Sequence, residues 1–134
     1  MNEQALHPSQ FQVNEAWIVF KLNDAPICTE EEGDFNVIAI MDAASCFIMG
    51  MEFLSVESQE LLQLDSKKLL KTGWSHKQQF PKSLFIPNTQ QANNLVSVAE
   101  REGIEITSVS EAELLVFIGE ARDGFREQFG GATQ

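Results

Sequence analysis

Residues 35–41, FNVIAIM, are apolar at six of seven positions, and the run stops on Asp42. A strand with one solvated face alternates apolar and polar residues, so an unbroken apolar run marks a strand covered on both faces, as in the middle of a sheet. The flanking segments supply its neighbours. AWIVFKL, residues 16–22, is β-branched and aromatic and reads as a strand. CFIMGMEFLSV, residues 46–56, reads as a third strand, joined through the short turn Asp42-Ala-Ala-Ser45 to close an antiparallel meander. Between the first two lies NDAPICTEEEGD, expected as a solvated connection because Pro26 and Gly33 break any regular element.

Beyond Val56 the period changes from two to that of a helix. Leu61, Leu62, Leu64, Leu69 and Leu70 sit among polar residues in 58–71, an amphipathic helix expected to stop at Gly73 and to be followed by a basic loop, WSHKQQFPK. SLFIP, residues 83–87, is a short strand. Asn88 with Gln91 has the form of a capping box, and Ala92, Leu95, Val96 and Ala99 keep helical spacing up to Gly103, a natural residue just past a helix end. IEITSV, residues 104–109, alternates as a strand does. Ser110 and Glu113 form a second capping box ahead of the stripe Leu114, Phe117, Ile118, Ala121 and Phe125. The run LLVFI within that stripe is also compatible with a strand; the box and the continued stripe favour helix.

The resulting order is β-β-β-α-β-α-β-α. Right-handed crossovers then add two parallel strands beside the first, giving an α/β protein with a five-strand mixed sheet and helices on its faces. At 134 residues and 43% apolar composition the chain can bury one core. It is read as a polar arm over 1–15, a single domain over 16–130 and a short tail over 131–134. No apolar run is long enough to span a bilayer, and the N-terminus lacks the pattern of a secretory signal, so no membrane association and a cytoplasmic location are expected. Cys28 and Cys46, without CxxC spacing, are expected to be buried free thiols.

The five-strand order is that of the ribonuclease H-like superfold. Within it, Trp17-Ile-Val-Phe20, Asp42-Ala-Ala-Ser45, Ile48-Met-Gly50 and Pro87-Asn88 occur in the order of the W-x-x-D, D-x-x-S, i-x-G and strand-end motifs of integrase and DDE-transposase cores. Residues 16–129 therefore resemble a degenerate core of that family, of the kind also met in bacterial proteins. The resemblance implies metal-assisted phosphodiester chemistry at two or three converging carboxylates, which hard divalent cations require. Position by position that chemistry is missing. The family's first Asp falls on Phe20, and its second on Asn88, whose expected role is to cap a helix. The third acid would come from the last helix, where Glu111, Glu113 and Glu120 are all candidates. Asp42 matches the Asp of D-x-x-S, which is not a metal ligand in the family; it is expected to hold the turn by accepting hydrogen bonds from backbone N–H groups or from Ser45.

No other constellation carries chemistry. His7 and His76 are the only histidines, and neither stands at ligand spacing from the other or from a cysteine. Phosphate-cradling and nucleophile-elbow glycine motifs are absent from the sequence, and Glu30, Glu31, Glu32 and Asp34 lack the ladder of a calcium loop. No metal, cofactor or catalytic residue is expected.

Charge is the remaining signal. The net charge of −11 opposes general affinity for nucleic acid. It is unevenly placed: twelve acids face Lys21 alone in residues 1–65, and eight acids face three arginines in 100–134, whereas residues 66–99 hold five lysines and no acid. Lys67, Lys68, Lys71, Lys77 and Lys82 lie among Trp74, His76 and Phe80, the mixture that single-stranded nucleic acid binds. The same strip can be a structural surface, pair with the chain's own acidic segments, or meet an acidic partner. A non-catalytic domain acting by binding or assembly, through a protein partner or self-association, is the favoured expectation; single-strand binding through Lys67–Lys82 is the alternative.

Overall fold

The computed structural model describes residues 6–23, 25–31 and 33–130. The expected tail at 131–134, the first five residues of the expected arm, and Glu32 of the acidic run lie outside them. Among the described residues, six strands and three α-helices follow one another: β1 (Ala16–Lys21), β2 (Ile27–Cys28), β3 (Asp34–Asp42), β4 (Ile48–Ser55), α1 (Gln63–Lys77), β5 (Ser83–Pro87), α2 (Asn93–Arg101), β6 (Glu105–Val109) and α3 (Glu111–Phe125). One edge of β3 pairs antiparallel with β1, from Trp17↔Asp42 to Lys21↔Ile38, and the other pairs antiparallel with β4. β5 and β6 add in parallel beyond β1. The sheet thus runs β4-β3-β1-β5-β6. The two-residue β2, inside the expected connection, pairs with Phe35 and Asp34 on the edge of β3 that β1 has left. Meander followed by crossovers is the order read from the sequence.

Two cores, one per face of the sheet, explain the apolar run. Side chains alternate across a strand. Trp17 and Val19 of β1, with Ile38 and Ile40 of β3, pack under α1 and α2 against Leu69, Leu70, Leu95 and Val98. Ile18 and Phe20, with Val37, Ala39 and Met41, pack under α3 against Leu114, Phe117 and Ile118. The stripe over 114–125 is therefore helical, and Ala121 and Phe125 close against the same core. Ser110 is the N-cap residue of α3, but its hydroxyl turns to the Glu113 carboxylate at 3.5 Å instead of to a backbone N–H. Among the described residues no helix is long and apolar enough to cross a membrane.

Several expected boundaries move, each for a packing reason. The stop at Gly73 does not occur: α1 runs on to Lys77 and ends on Gln78 in the left-handed conformation (φ 56°). Gly73 serves packing instead. A Cβ there would stand 2.9 Å from the Trp17 ring, so only glycine lets α1 lie this close to β1. The first four residues of the expected basic loop, Trp74 to Lys77, are thus the last turn of a helix, and only residues 78–82 are loop. Asn88 does not cap α2, which begins at Asn93; Asn88 is exposed in the turn after β5. The free N–H of Asn94 is taken by the Glu60 carboxylate at 2.7 Å, and the Asn94 side chain donates to the Leu61 carbonyl at 2.9 Å. A cap from a distant loop has replaced the local one. Gly103 (φ 79°) does close α2, with Gly103 N–H on Glu100 and Ile104 N–H on Ala99, the paired bonds of a Schellman motif.

The N-terminal arm is docked rather than loose from Leu6 onward, because Phe11 inserts its ring beside Phe85 and Phe117 with centroids 5.7 and 6.1 Å away. Cys28 is exposed on β2, contrary to the expectation of two buried thiols, and Cys46 precedes β4 in a turn (φ 59°). Gly73→Ala gains helix propensity of up to about 1 kcal/mol but forces Trp17 to move, an overpacking cost of about 1–3 kcal/mol. We expect a net loss in urea-denaturation stability; a more stable variant would contradict the Gly73–Trp17 contact.

Candidate functional site

The carboxyl ends of β1 and β5 are where the fold would gather metal ligands. Phe20 is fully buried on the α3 side of β1. The register Ile18↔Phe85, continued by two residues, sets Phe20 level with Pro87, and Asn88 follows at the same end of the sheet. Asn88 keeps its backbone N–H on the Val109 carbonyl at 2.7 Å, tying β5 to β6. A phenyl ring and a carboxamide offer no anionic oxygen to a divalent cation.

A fixed cation lies beside this position. Arg122 of α3 donates from Nη2 at 2.8 Å and from Nε at 3.1 Å to the Lys21 carbonyl, at the end of β1. Its Nη1 pairs with Glu111 in the first turn of α3, and its guanidinium stands 6.0 Å from the centre of the Phe20 ring. Of the three candidate acids of the last helix, Glu111 is thus the one joined to the Phe20 neighbourhood, through a guanidinium. Glu113 meets Ser110, and Glu120 lies beside Cys46 and Phe47. Arg122 belongs to no motif. Its mark in the sequence is its place four residues after Ile118 and eight after Leu114, on an otherwise apolar stripe.

Asp42 is buried, and both its oxygens are committed. Oδ1 accepts the Asn14 N–H at 2.7 Å; Oδ2 accepts the Ser45 N–H at 3.0 Å and the Ser45 hydroxyl at 2.7 Å. Asn14, held in the left-handed region (φ 69°), accepts the Trp17 indole N–H at 2.8 Å and donates to the Gln79 carbonyl at 3.1 Å. The carboxylate therefore joins the arm, the β3–β4 turn and, through Asn14, the buried indole. Nearby, burial first, and then the charges of Glu120 and Asp42, push the Cys46 thiol up, keeping it protonated and weakly nucleophilic at neutral pH. Among the described residues, no three His, Cys, Asp or Glu side chains are grouped to hold a metal ion.

The basic strip is divided by the helix that carries it. Lys67, Lys71 and Trp74 share one face of α1 and, with Phe80 and with Arg101 and Glu102 at the end of α2, border a cleft of about 440 Å³. Lys68 points elsewhere, 4.0 Å from Asp65. His76 turns to β4, with Nε2 at 3.3 Å from the Met49 carbonyl and its ring 5.5 Å from Phe47. Lys77 is exposed at the helix end, and Lys82 lies beside Glu15 and Gln79 in a separate hollow. Arg101, remote from the strip in sequence, joins it in space. The strip is thus not one surface of eight residues, because consecutive positions on a helix point about 100° apart. A second, more apolar concavity of about 680 Å³ lies between β4 and the end of α3, where Phe53 is 63% exposed.

Phe20→Asp, which restores the family's acid, buries a charge whose nearest cation is already engaged. We expect a loss of about 3–5 kcal/mol, against about 1–2 kcal/mol for Phe20→Leu, both read by urea denaturation. A near-neutral Phe20→Asp would contradict the assignment of Phe20 to the core.

No protein-family model and no curated protein matches the sequence. Solved structures do. A chain of the simian T-cell lymphotropic virus intasome, determined in complex with the PP2A regulatory subunit B56 gamma, superimposes with a TM-score of 0.57 at 10% identity, over 96% of this chain and 41% of that one. The protein thus spans about two fifths of the length of the intasome chain it matches. The catalytic core domain of HTLV-2 integrase with magnesium gives a TM-score of 0.49 at 11% identity, over 81% of this chain and 82% of that one. The catalytic core domain of BIV integrase gives 0.48 at 10% identity, over 90% and 75%. The strand order, together with the likeness to the intasome chain, gives the chain the ribonuclease H-like fold.

Proposed function

We propose that this is a non-catalytic ribonuclease H-like domain that acts by binding or assembly. One observation carries the reading: at the end of the central strands, where metal-dependent phosphodiester chemistry needs converging carboxylates, there stand a buried phenyl ring, a carboxamide and a guanidinium that engages the nearest acid. Two-metal chemistry would have to bring dications beside Arg122, where like charges repel in a partly desolvated setting. Asp42, the remaining acid at a motif position, has both oxygens occupied by hydrogen bonds that hold the turn. What the fold then offers is surface, in the form of the α1–α2 cleft and the β4–α3 concavity.

The test is incubation of single- and double-stranded DNA and RNA with the protein and Mg²⁺ or Mn²⁺. No cleavage or strand transfer above buffer is expected. Metal-dependent activity that disappears in Glu111→Gln would overturn the proposal.

A further inference from the structure

We propose that the cleft between α1 and α2 is the binding surface, and that its ligand is a short acidic peptide segment carrying an apolar side chain. This rests on the binding reading above and assigns it a place and a partner chemistry.

The cleft has an apolar floor and a net cationic rim, in which Lys67, Lys71 and Arg101 outnumber the single acid Glu102. Leu70 and Val98 are buried beneath it, and Phe80 is fixed as a wall by its edge-on contact with the buried Trp17, 6.1 Å between centroids. Trp74 is 36% exposed, which leaves part of its indole free to cover a ligand side chain. Lys67 and Lys71 stand one turn apart on α1, and Arg101 faces them from α2. Among the described residues none of these three cations has an ion-pair partner, whereas Lys68, Arg122 and Arg126 do. About 440 Å³ is room for one or two side chains, within the range of binding clefts.

Charge placement selects between anionic ligands. Residues 66–99 are the one cationic segment of a chain whose net charge is −11. Charges interact over a Debye length of about 10 Å at 0.1 M salt, so a ligand no longer than the cleft meets mainly Lys67, Lys71 and Arg101. A longer polyanion also meets the field of a chain whose net charge is −11, which opposes it. An apolar side chain on the floor and carboxylates on the rim match the cleft; a uniformly charged phosphate backbone leaves the floor empty.

The protein carries its own reporter. Trp17 and Trp74 are its only tryptophans, and Trp17 is fully buried, so Trp74 is the indole that a ligand in the cleft can touch. The probes are a peptide of about twelve residues with Asp and Glu around one Leu and one Phe, the same peptide with Gln and Asn for the acids, and oligo-dT of similar length. The acidic peptide is expected to shift Trp74 emission saturably. Its affinity should fall about tenfold or more in K67E/K71E, two exposed positions, and on raising salt from about 50 to about 300 mM. The Gln/Asn peptide and the oligonucleotide should bind more weakly on the wild-type protein. No saturable shift, equal binding of the Gln/Asn peptide, or tighter binding of oligo-dT would each overturn the assignment. Nuclease activity would defeat the non-catalytic reading, whereas a peptide failure beside blank cleavage assays would defeat the cleft assignment alone.

Discussion

β1 is apolar on both faces, and the rest of the molecule follows from covering it. Trp17 and Val19 require the α1–α2 layer, while Ile18 and Phe20 require α3. Each large side chain so buried contributes about 1.5–3 kcal/mol, and together they hold two helical layers on a sheet of modest size. The same constraint bears on chemistry. A strand packed on both faces can present a carboxylate only where the packing opens for solvent or a cation, and at Phe20 it does not open. The ring fills the space, and Arg122 closes it from the end of α3 by binding the last carbonyl of β1. A cation covalently part of the fold lies beside the place where the resemblance would put a bound one.

The polar groups around Trp17 show how far this dependence reaches. The indole nitrogen needs a partner once buried, and Asn14 supplies it from the arm. Asn14 is held by Asp42, and Asp42 is held by Ser45. Gly73 gives way to the other side of the indole. Residues distant in sequence thus converge on one ring, and Asp42, which by position in a strand-end motif invites a catalytic interpretation, is consumed by that structural task.

The central features were legible because they depend on period and order. The unbroken run over 35–41, the change of period after Val56 and the stripe from Leu114 to Phe125 state the sheet and its layers directly. Departures occur where a tertiary contact overrules a local signal. Gly73 looks like a helix stop but is a packing notch, and Asn88 looks like a cap but is displaced by Glu60 from a remote loop. The basic strip looked continuous because a sequence has no faces; helical phase sends Lys67, Lys71 and Trp74 one way and His76 another. Arg101 and Arg122 were silent for the complementary reason: each acquires its role from an element far away along the chain.

The central claim is that the end of β1 is core and not a vacated metal centre. Paramagnetic broadening of amide signals by Mn²⁺ tests it most directly, because the effect falls off steeply with distance from the ion. The account predicts broadening only at exposed acids such as Glu30 and Glu31, with the signals of Phe20, Lys21, Asn88 and Glu111 unaffected. Saturable broadening centred on those four residues would contradict it.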